Sequence, residues 1–168
     1  LLFVAFGYDK WPYILGFLTL GILAIWSAIS YTAGNKPYGY MGLGDLFVFI
    51  FFCLVGVLGA LFLIAKSIQW AHLLPACSIG LLSTSVLNLN NMRDHVGDAN
   101  AGKRTLVVRI GLNTARWYHT ILIISAFVFV SFYIQVEGYS ALSYLFLLSA
   151  PLFIYNLKYS ICNILISS

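Results

Sequence analysis

The chain is poor in charged residues, and this scarcity limits the solvent in which it can fold. Only 8% of its residues are Asp, Glu, Lys or Arg, whereas 61% are hydrophobic. An average soluble domain has about 25% charged residues. A water-soluble fold could not bury so much apolar surface. The composition therefore excludes an ordinary soluble enzyme and favours a protein embedded in a lipid bilayer.

Cysteine is also scarce. The three cysteines are an odd number, they are widely spaced, and Cys53 lies inside an apolar run. This pattern predicts small buried side chains rather than a disulfide framework or a zinc site. The net charge of +4 is modest, and we do not interpret it as nucleic-acid binding.

Five apolar segments are each long enough to cross a bilayer as a helix, which takes about 20 residues. They cover residues 11–31, 46–65, 70–92, 118–136 and 139–157. Alternation of polar and apolar residues, as in membrane β-barrels, is absent, and isolated strands would leave backbone groups unpaired in lipid. The fold class predicted is an all-α, polytopic transmembrane helical bundle.

Basic residues indicate the orientation of these spans. When the spans alternate, Lys10 and Lys66 fall on one side of the membrane. The other side collects Lys36, Arg93, Lys103, Arg104, Arg109, Arg116 and Lys158. Because cytoplasmic loops are enriched in Lys and Arg, the second side is predicted to face the cytoplasm. It would carry two long polar loops, at residues 32–45 and 93–116.

The strongest local signal is an acidic cluster near the end of the third span. If the helix continues there, Asn90, Asp94 and Asp98 recur every fourth residue and share one face. Two carboxylates one turn apart repel each other, and a divalent cation between them relieves the repulsion. Oxygen ligands favour Mg²⁺, which commonly joins carboxylates to a diphosphate. We therefore predict that Asp94 and Asp98 bind the metal, with Asn90 and Asn91 as possible further ligands.

Four basic residues are candidate contacts for diphosphate oxygens that a metal leaves uncovered. They are Lys36, Arg93, Lys103 and Arg104. The simpler alternative is that Asp94 and Asp98 pair with neighbouring basic residues on a solvated loop, and that Lys36 only orients the chain. Against this alternative, the chain has only five acidic residues, and ionisable residues near a membrane are often functional.

Other polar residues have less specific interpretations. Asp45 is predicted to cap the second span by accepting backbone N–H groups. His95 lies inside the acidic cluster and is expected to support a ligand rather than bind the metal. His72 and His119 are expected at the membrane interface. No catalytic base can be assigned.

Two blocks of sequence, together with the arrangement of spans and loops between them, resemble the UbiA superfamily of intramembrane prenyltransferases. They are YTAGNKPYGYMGLGD at residues 31–45 and NLNNMRDHVGDANAGKRTLVVRIG at residues 88–111. The likeness is greatest to the menaquinone branch, the 1,4-dihydroxy-2-naphthoate polyprenyltransferases, and it extends over nearly the whole chain. Asp94 and Asp98 match the second of the family's two Asp-rich, Mg²⁺-binding motifs, and Lys103 matches a diphosphate contact.

The resemblance implies a function, but one part of the family's site is missing from this sequence. The implied reaction transfers a polyprenyl group from its diphosphate to 1,4-dihydroxy-2-naphthoate, with loss of diphosphate and CO₂, in a bacterial cytoplasmic membrane. The family's first Asp-rich motif has no counterpart in this sequence, and the family has about nine helices. We therefore expect residues 1–168 to be one partial membrane-embedded domain, a fragment that has little or no activity alone.

Three alternatives remain open at this stage. A related prenyltransferase could use another aromatic acceptor, such as 4-hydroxybenzoate. A cation-coupled membrane transporter could use the same pair of carboxylates to bind its coupling ion. A non-catalytic scaffold, in which the acidic pair forms only salt bridges, is a third possibility.

Overall fold

The computed structural model describes residues 6–7, 10–32, 37–155 and 158. All regular secondary structure within these residues is helical, so the predicted all-α fold class is confirmed. The four long helices and one shorter helical segment are α1 at Trp11–Thr32, α2 at Gly44–Ala65, α3 at Leu73–Asn100, α4 at Leu106–Val136 and the short segment at Ala141–Tyr155.

Local sequence explains several features of these helices. A 3₁₀ turn at Tyr38–Met41 precedes α2, and Gly42 follows it with a positive φ of 73°, a conformation that glycine adopts at little cost. Helix α4 begins after Thr105, whose side-chain oxygen accepts a hydrogen bond from the backbone N–H of Val108. Gly111 interrupts the helical backbone of α4 with φ 79° and ψ 160°, so α4 is kinked near its start.

The four long helices are long and apolar enough to cross a membrane. Large apolar side chains lie on their outer faces, such as Ile22 and Trp26 of α1, which are 67% and 66% exposed. Such exposure is expected of side chains that face lipid, because the hydrocarbon core is itself apolar. The chain is therefore a multi-pass membrane protein. The fifth predicted span is described only through Tyr155, and residues 156–157 lie outside the described part.

The prediction of a long polar loop at residues 93–116 is wrong. Residues 93–100 complete α3 and residues 106–116 begin α4, so that only residues 101–105 connect the two helices. Helix α3 has 28 residues and is about 42 Å long at 1.5 Å per residue. The hydrocarbon core is about 30 Å thick. Polar residues can therefore extend α3 beyond the lipid without breaking the helix.

Helix α3 lies at the centre of the bundle and packs against both α2 and α4. It packs tightly against α2 at Gly80, where a Cβ atom would lie 2.8 Å from Cβ of Cys53 and 3.0 Å from the Phe49 ring. Cys53 is fully buried in this interface, and its sulfur lies 3.6 Å from that of Cys77. Both are free thiols. The two cysteines are thus neighbours in space although they are distant in sequence.

Candidate functional site

The two sequence blocks meet at one end of the bundle. The backbone N–H of Arg104, in the α3–α4 connection, donates a hydrogen bond of 2.9 Å to the carbonyl of Tyr40, in the α1–α2 connection. Nζ of Lys103 lies 5.2 Å from the centre of the Tyr40 ring, within reach of a cation–π interaction. Both connections therefore lie at the same end of the helical bundle, as the alternation of the spans predicted.

Helix α3 continues without interruption through Gly97 to Asn100. The condition for placing Asn90, Asp94 and Asp98 on one helical face is thus met, because residues four apart on an α-helix lie one turn above each other. The carboxylates are on a helix end, so the description of Asp94 and Asp98 as loop residues is corrected.

Asp98 is the more enclosed of the two carboxylates. The residue is only 9% exposed, and Nζ of Lys103 lies 3.2 Å from its Oδ1. The hydrogen bond with Asp98 raises the pKa of Lys103 above its ordinary value, so the ammonium group stays charged at neutral pH. The α3–α4 connection turns Lys103 back toward the end of α3, since the N–H of Lys103 donates to the carbonyl of Asp98 at 2.8 Å.

Asp94 lies in a more open position. Its two oxygens accept hydrogen bonds of 2.8 and 2.9 Å from Nε and Nη2 of Arg93, which is the two-point geometry that guanidinium groups make with carboxylates. Both side chains are at least half exposed. Each carboxylate of the pair therefore has its own cationic partner. The simpler alternative, in which Asp94 and Asp98 only form ion pairs, required this too, but it placed them on a solvated loop, whereas they lie on a helix.

The remaining candidates are less constrained. Asn90 is exposed and Asn91 is half-buried. Nδ1 of His95 lies 2.9 Å from the carbonyl of Met92 one turn earlier. The side chain of Arg104 is exposed. Lys36 lies outside the described residues. Within the described part of the chain, no group of three or more His, Cys, Asp or Glu residues could hold a metal ion.

Two polar residues have positions that the sequence did not predict. Leu43 takes the cap position of α2, and Asp45 lies inside the first turn, buried to 6% exposure beside the Tyr118 hydroxyl of α4. His119 is 1% exposed inside the bundle, which its position near the end of a span did not predict. The burial of Asp45 depends on α4, a helix that is distant in sequence. The only local signal was a polar residue beside an apolar span.

Gly42 fixes the distance between the two connections. A Cβ atom on this residue would lie 2.9 Å from the carbonyl oxygen of Arg104 and 3.1 Å from Nε of Arg109. That carbonyl also accepts a hydrogen bond of 3.2 Å from Nε of Arg109. Arg109 was counted only among the orienting charges at the sequence level. Its guanidinium lies at the junction of the two blocks.

This arrangement can bind an anion and a hard cation together. Carboxylate and amide oxygens are the donors that Mg²⁺ prefers, and one or two carboxylates with substrate phosphates commonly complete its site. The cations beside them can contact phosphate oxygens. The model of the UbiA prenyltransferase family matches residues 1–162. The chain belongs to this family.

Curated relatives agree with the family assignment. The chain is 46% identical over 145 residues to a 1,4-dihydroxy-2-naphthoate octaprenyltransferase of Escherichia coli, covering 86% of this chain and 47% of the relative. Its identity to the Haemophilus influenzae protein of the same name is 44%, covering 95% and 52%. A Mycobacterium tuberculosis protein with that name is 48% identical, covering 56% and 32%.

The chain spans about half the length of the E. coli and H. influenzae relatives. No solved structure matches it at a significant level. The resemblance to UbiA prenyltransferases inferred from the two sequence blocks is confirmed by the family match and by these relatives.

Proposed function

We propose that the protein to which this chain belongs transfers a polyprenyl group from its diphosphate to 1,4-dihydroxy-2-naphthoate. One observation carries the proposal: within a UbiA family match, Asp94 and Asp98 lie one turn apart at the polar end of a membrane helix, each beside a cation. The names of the relatives support the naphthoate acceptor over 4-hydroxybenzoate. They also support a prenyltransferase over a transporter.

The residues present fit a site for Mg²⁺ and a diphosphate. Asp94 and Asp98 would hold the metal, with Asn90 and Asn91 as possible additional oxygen ligands. When bound, the metal would neutralise charge on the diphosphate leaving group. In the bundle the carboxylates are neutralised by Arg93 and Lys103. Once the metal neutralises the charge of the carboxylates, the side chains of Arg93 and Lys103 would be able to contact the diphosphate oxygens.

Lys103 would stabilise the charge that develops on the diphosphate as the allylic C–O bond breaks. Arg93 and Arg104 would provide further contacts, and Lys36 is a candidate from the other connection. A new C–C bond then forms between the prenyl group and the electron-rich ring. The carboxylate is lost as CO₂. Apolar walls around the site would exclude water, which would otherwise quench the allylic cation.

We propose a bacterial cytoplasmic membrane as the location, with the Asp94 and Asp98 end facing the cytoplasm. The loops on that side carry most of the basic residues. Labelling of a cysteine introduced at Ala101, in the α3–α4 connection, by a membrane-impermeant thiol reagent tests the orientation. Labelling from the periplasmic side would contradict it.

The decisive experiment uses the full-length protein in membranes with a labelled polyprenyl diphosphate. We expect product with dihydroxynaphthoate, none with 4-hydroxybenzoate, and loss of transfer on chelation that Mg²⁺ restores. Product from hydroxybenzoate alone would keep the family and replace the acceptor. If neither acceptor gives product while an ion gradient drives uptake, a transporter would replace the prenyltransferase.

A further inference from the structure

A second polar site lies inside the bundle, next to the carboxylate cluster. It is a cavity of about 370 Å³ between α2, α3 and α4, within the size range of small-molecule sites. Its walls are mostly leucine and phenylalanine side chains, among them Phe49 and Leu122. Three polar side chains interrupt them, from Asp45, Thr84 and Tyr118.

Asp45 gives this cavity its chemical character. The residue is 6% exposed, and its Oδ2 atom has no hydrogen-bond partner. Thr84 does not supply a donor, because its hydroxyl donates to the carbonyl of Gly80 at 2.8 Å. Tyr118 interacts with the same carboxylate. A buried acceptor left without a donor is costly, so this oxygen is suited to a ligand that brings a hydroxyl group.

A residue of the opposite charge, Arg109, lies beside the wall of the cavity at Gly42. Gly42 lines the cavity, and a Cβ atom on it would lie 3.1 Å from Nε of Arg109. A guanidinium at this position can bind a carboxylate through two hydrogen bonds. A ligand with an apolar ring, a hydroxyl group at one end and a carboxylate at the other would match Asp45, the apolar walls and Arg109 in turn.

The cavity is also correctly placed for a reaction at the carboxylate cluster. Leu106 contributes to its wall, and it lies three residues after Lys103, which pairs with Asp98. Because residues 101–105 connect the two sites directly, a ring bound in the cavity would lie close to a diphosphate bound by Lys103.

We propose that this cavity binds the aromatic acceptor, with a ring hydroxyl donating to Asp45 and the ring carboxylate binding Arg109. This inference rests on the proposed function and names the acceptor subsite within it. Asp45 acts here as a binding and positioning group, and Tyr118 helps to hold its carboxylate in place.

The test measures acceptor and donor kinetics separately in the full-length enzyme. We expect Asp45→Asn to raise the KM for dihydroxynaphthoate roughly 10- to 100-fold, the usual effect of losing a hydrogen bond to a charged group, with the KM for polyprenyl diphosphate within about twofold. Asp94→Asn is the matched control and should show the reverse pattern. An unchanged acceptor KM in folded Asp45→Asn would overturn the proposal.

Competitive inhibitors distinguish binding from a merely structural role. The wild-type enzyme should bind 4-hydroxy-2-naphthoate, whose hydroxyl is not adjacent to the carboxylate, more tightly than 2-naphthoate, and Asp45→Asn should lose this preference. Arg109→Gln should weaken both inhibitors equally, because both carry the carboxylate. Retention of the hydroxyl preference by Asp45→Asn would contradict the assignment.

A second variant and a second pair of ligands provide further tests. If Asp45→Asn does not fold, Leu81→Phe reduces the cavity while keeping Asp45, and it should raise the acceptor KM alone; an unchanged KM would overturn the proposal. If the wild-type enzyme uses 4-hydroxybenzoate instead, the proposed function fails. The affinity for 4-hydroxybenzoate compared with that for benzoate, in the wild-type enzyme and in Asp45→Asn, still tests whether Asp45 recognises a hydroxyl group.

Discussion

Nζ of Lys103 lies 3.2 Å from Oδ1 of Asp98, and the five residues between α3 and α4 are what bring the two together. The pair joins the end of one membrane helix to the segment that begins the next. The ammonium group also lies over the ring of Tyr40. A carboxylate, a cation and an aromatic ring from both sequence blocks thus form one cluster.

Replacing Lys103 with Ala is expected to impair diphosphate binding and leaving-group departure. Without its ammonium group, one preorganised charge is lost, and such losses reduce kcat by roughly 100-fold. Steady-state kinetics of the full-length enzyme should show a lower kcat and a higher KM for polyprenyl diphosphate. Lys10→Ala, at an exposed lysine before α1, is the matched control. Equal activity of both variants would argue against a role for Lys103.

Replacing Asp94 with Asn is expected to change metal dependence without changing stability. Its ion pair with Arg93 is exposed, and exposed pairs add little to stability. The melting temperature should therefore match that of the wild-type protein, while the Mg²⁺ concentration for half-maximal activity should rise at least about tenfold, since even residues that only support a ligand typically cost that much metal affinity when they are changed. Glu137→Gln, at the opposite end of α4, should have no effect. An unchanged Mg²⁺ requirement in the Asp94 variant would refute its role as a ligand.

Gly42→Ala and Gly102→Ala form a matched pair. Both glycines have φ of 73°, so each substitution carries a similar backbone penalty of about 1 to 2 kcal/mol. Only at Gly42 would the new Cβ atom also meet a backbone carbonyl, 2.9 Å away. A Cβ atom added to Gly102 would have no such neighbour within 4 Å. Thermal unfolding should show a larger loss for Gly42→Ala. Equal losses would mean that the two connections do not approach each other so closely.

Gly80→Leu should destabilise the interface between α2 and α3. The added side chain would meet Cys53 and Phe49, and overpacking of this kind costs about 1 to 3 kcal/mol. Gly59→Leu is the control, because its nearest neighbour is 3.9 Å from an added Cβ atom. The melting temperatures of both variants in detergent make the comparison. A Gly80 variant as stable as the control would contradict the close packing.

The membrane helices could be predicted from the sequence because hydropathy depends on local composition. The ends of α3 and α4 could not, since polar residues such as Arg93 and Arg116 read equally well as a loop or as helix outside the lipid. Asp94 and Asp98 were found through helical spacing. Asp45 was not, because its burial depends on Tyr118, which lies 73 positions later in the sequence. A contact between distant helices leaves no local pattern.

The unbroken course of α3 has a mechanical consequence. Gly80, which packs tightly against α2, lies on the same continuous helix as Asp94 and Asp98. The angular position of the carboxylates is therefore fixed by packing deep in the membrane. Inserting one residue between Gly80 and Asn90 would turn both carboxylates by about 100° around the helix axis relative to α2. The short connection that carries Lys103 would turn with them, away from Tyr40, although every side chain of the site would still be present.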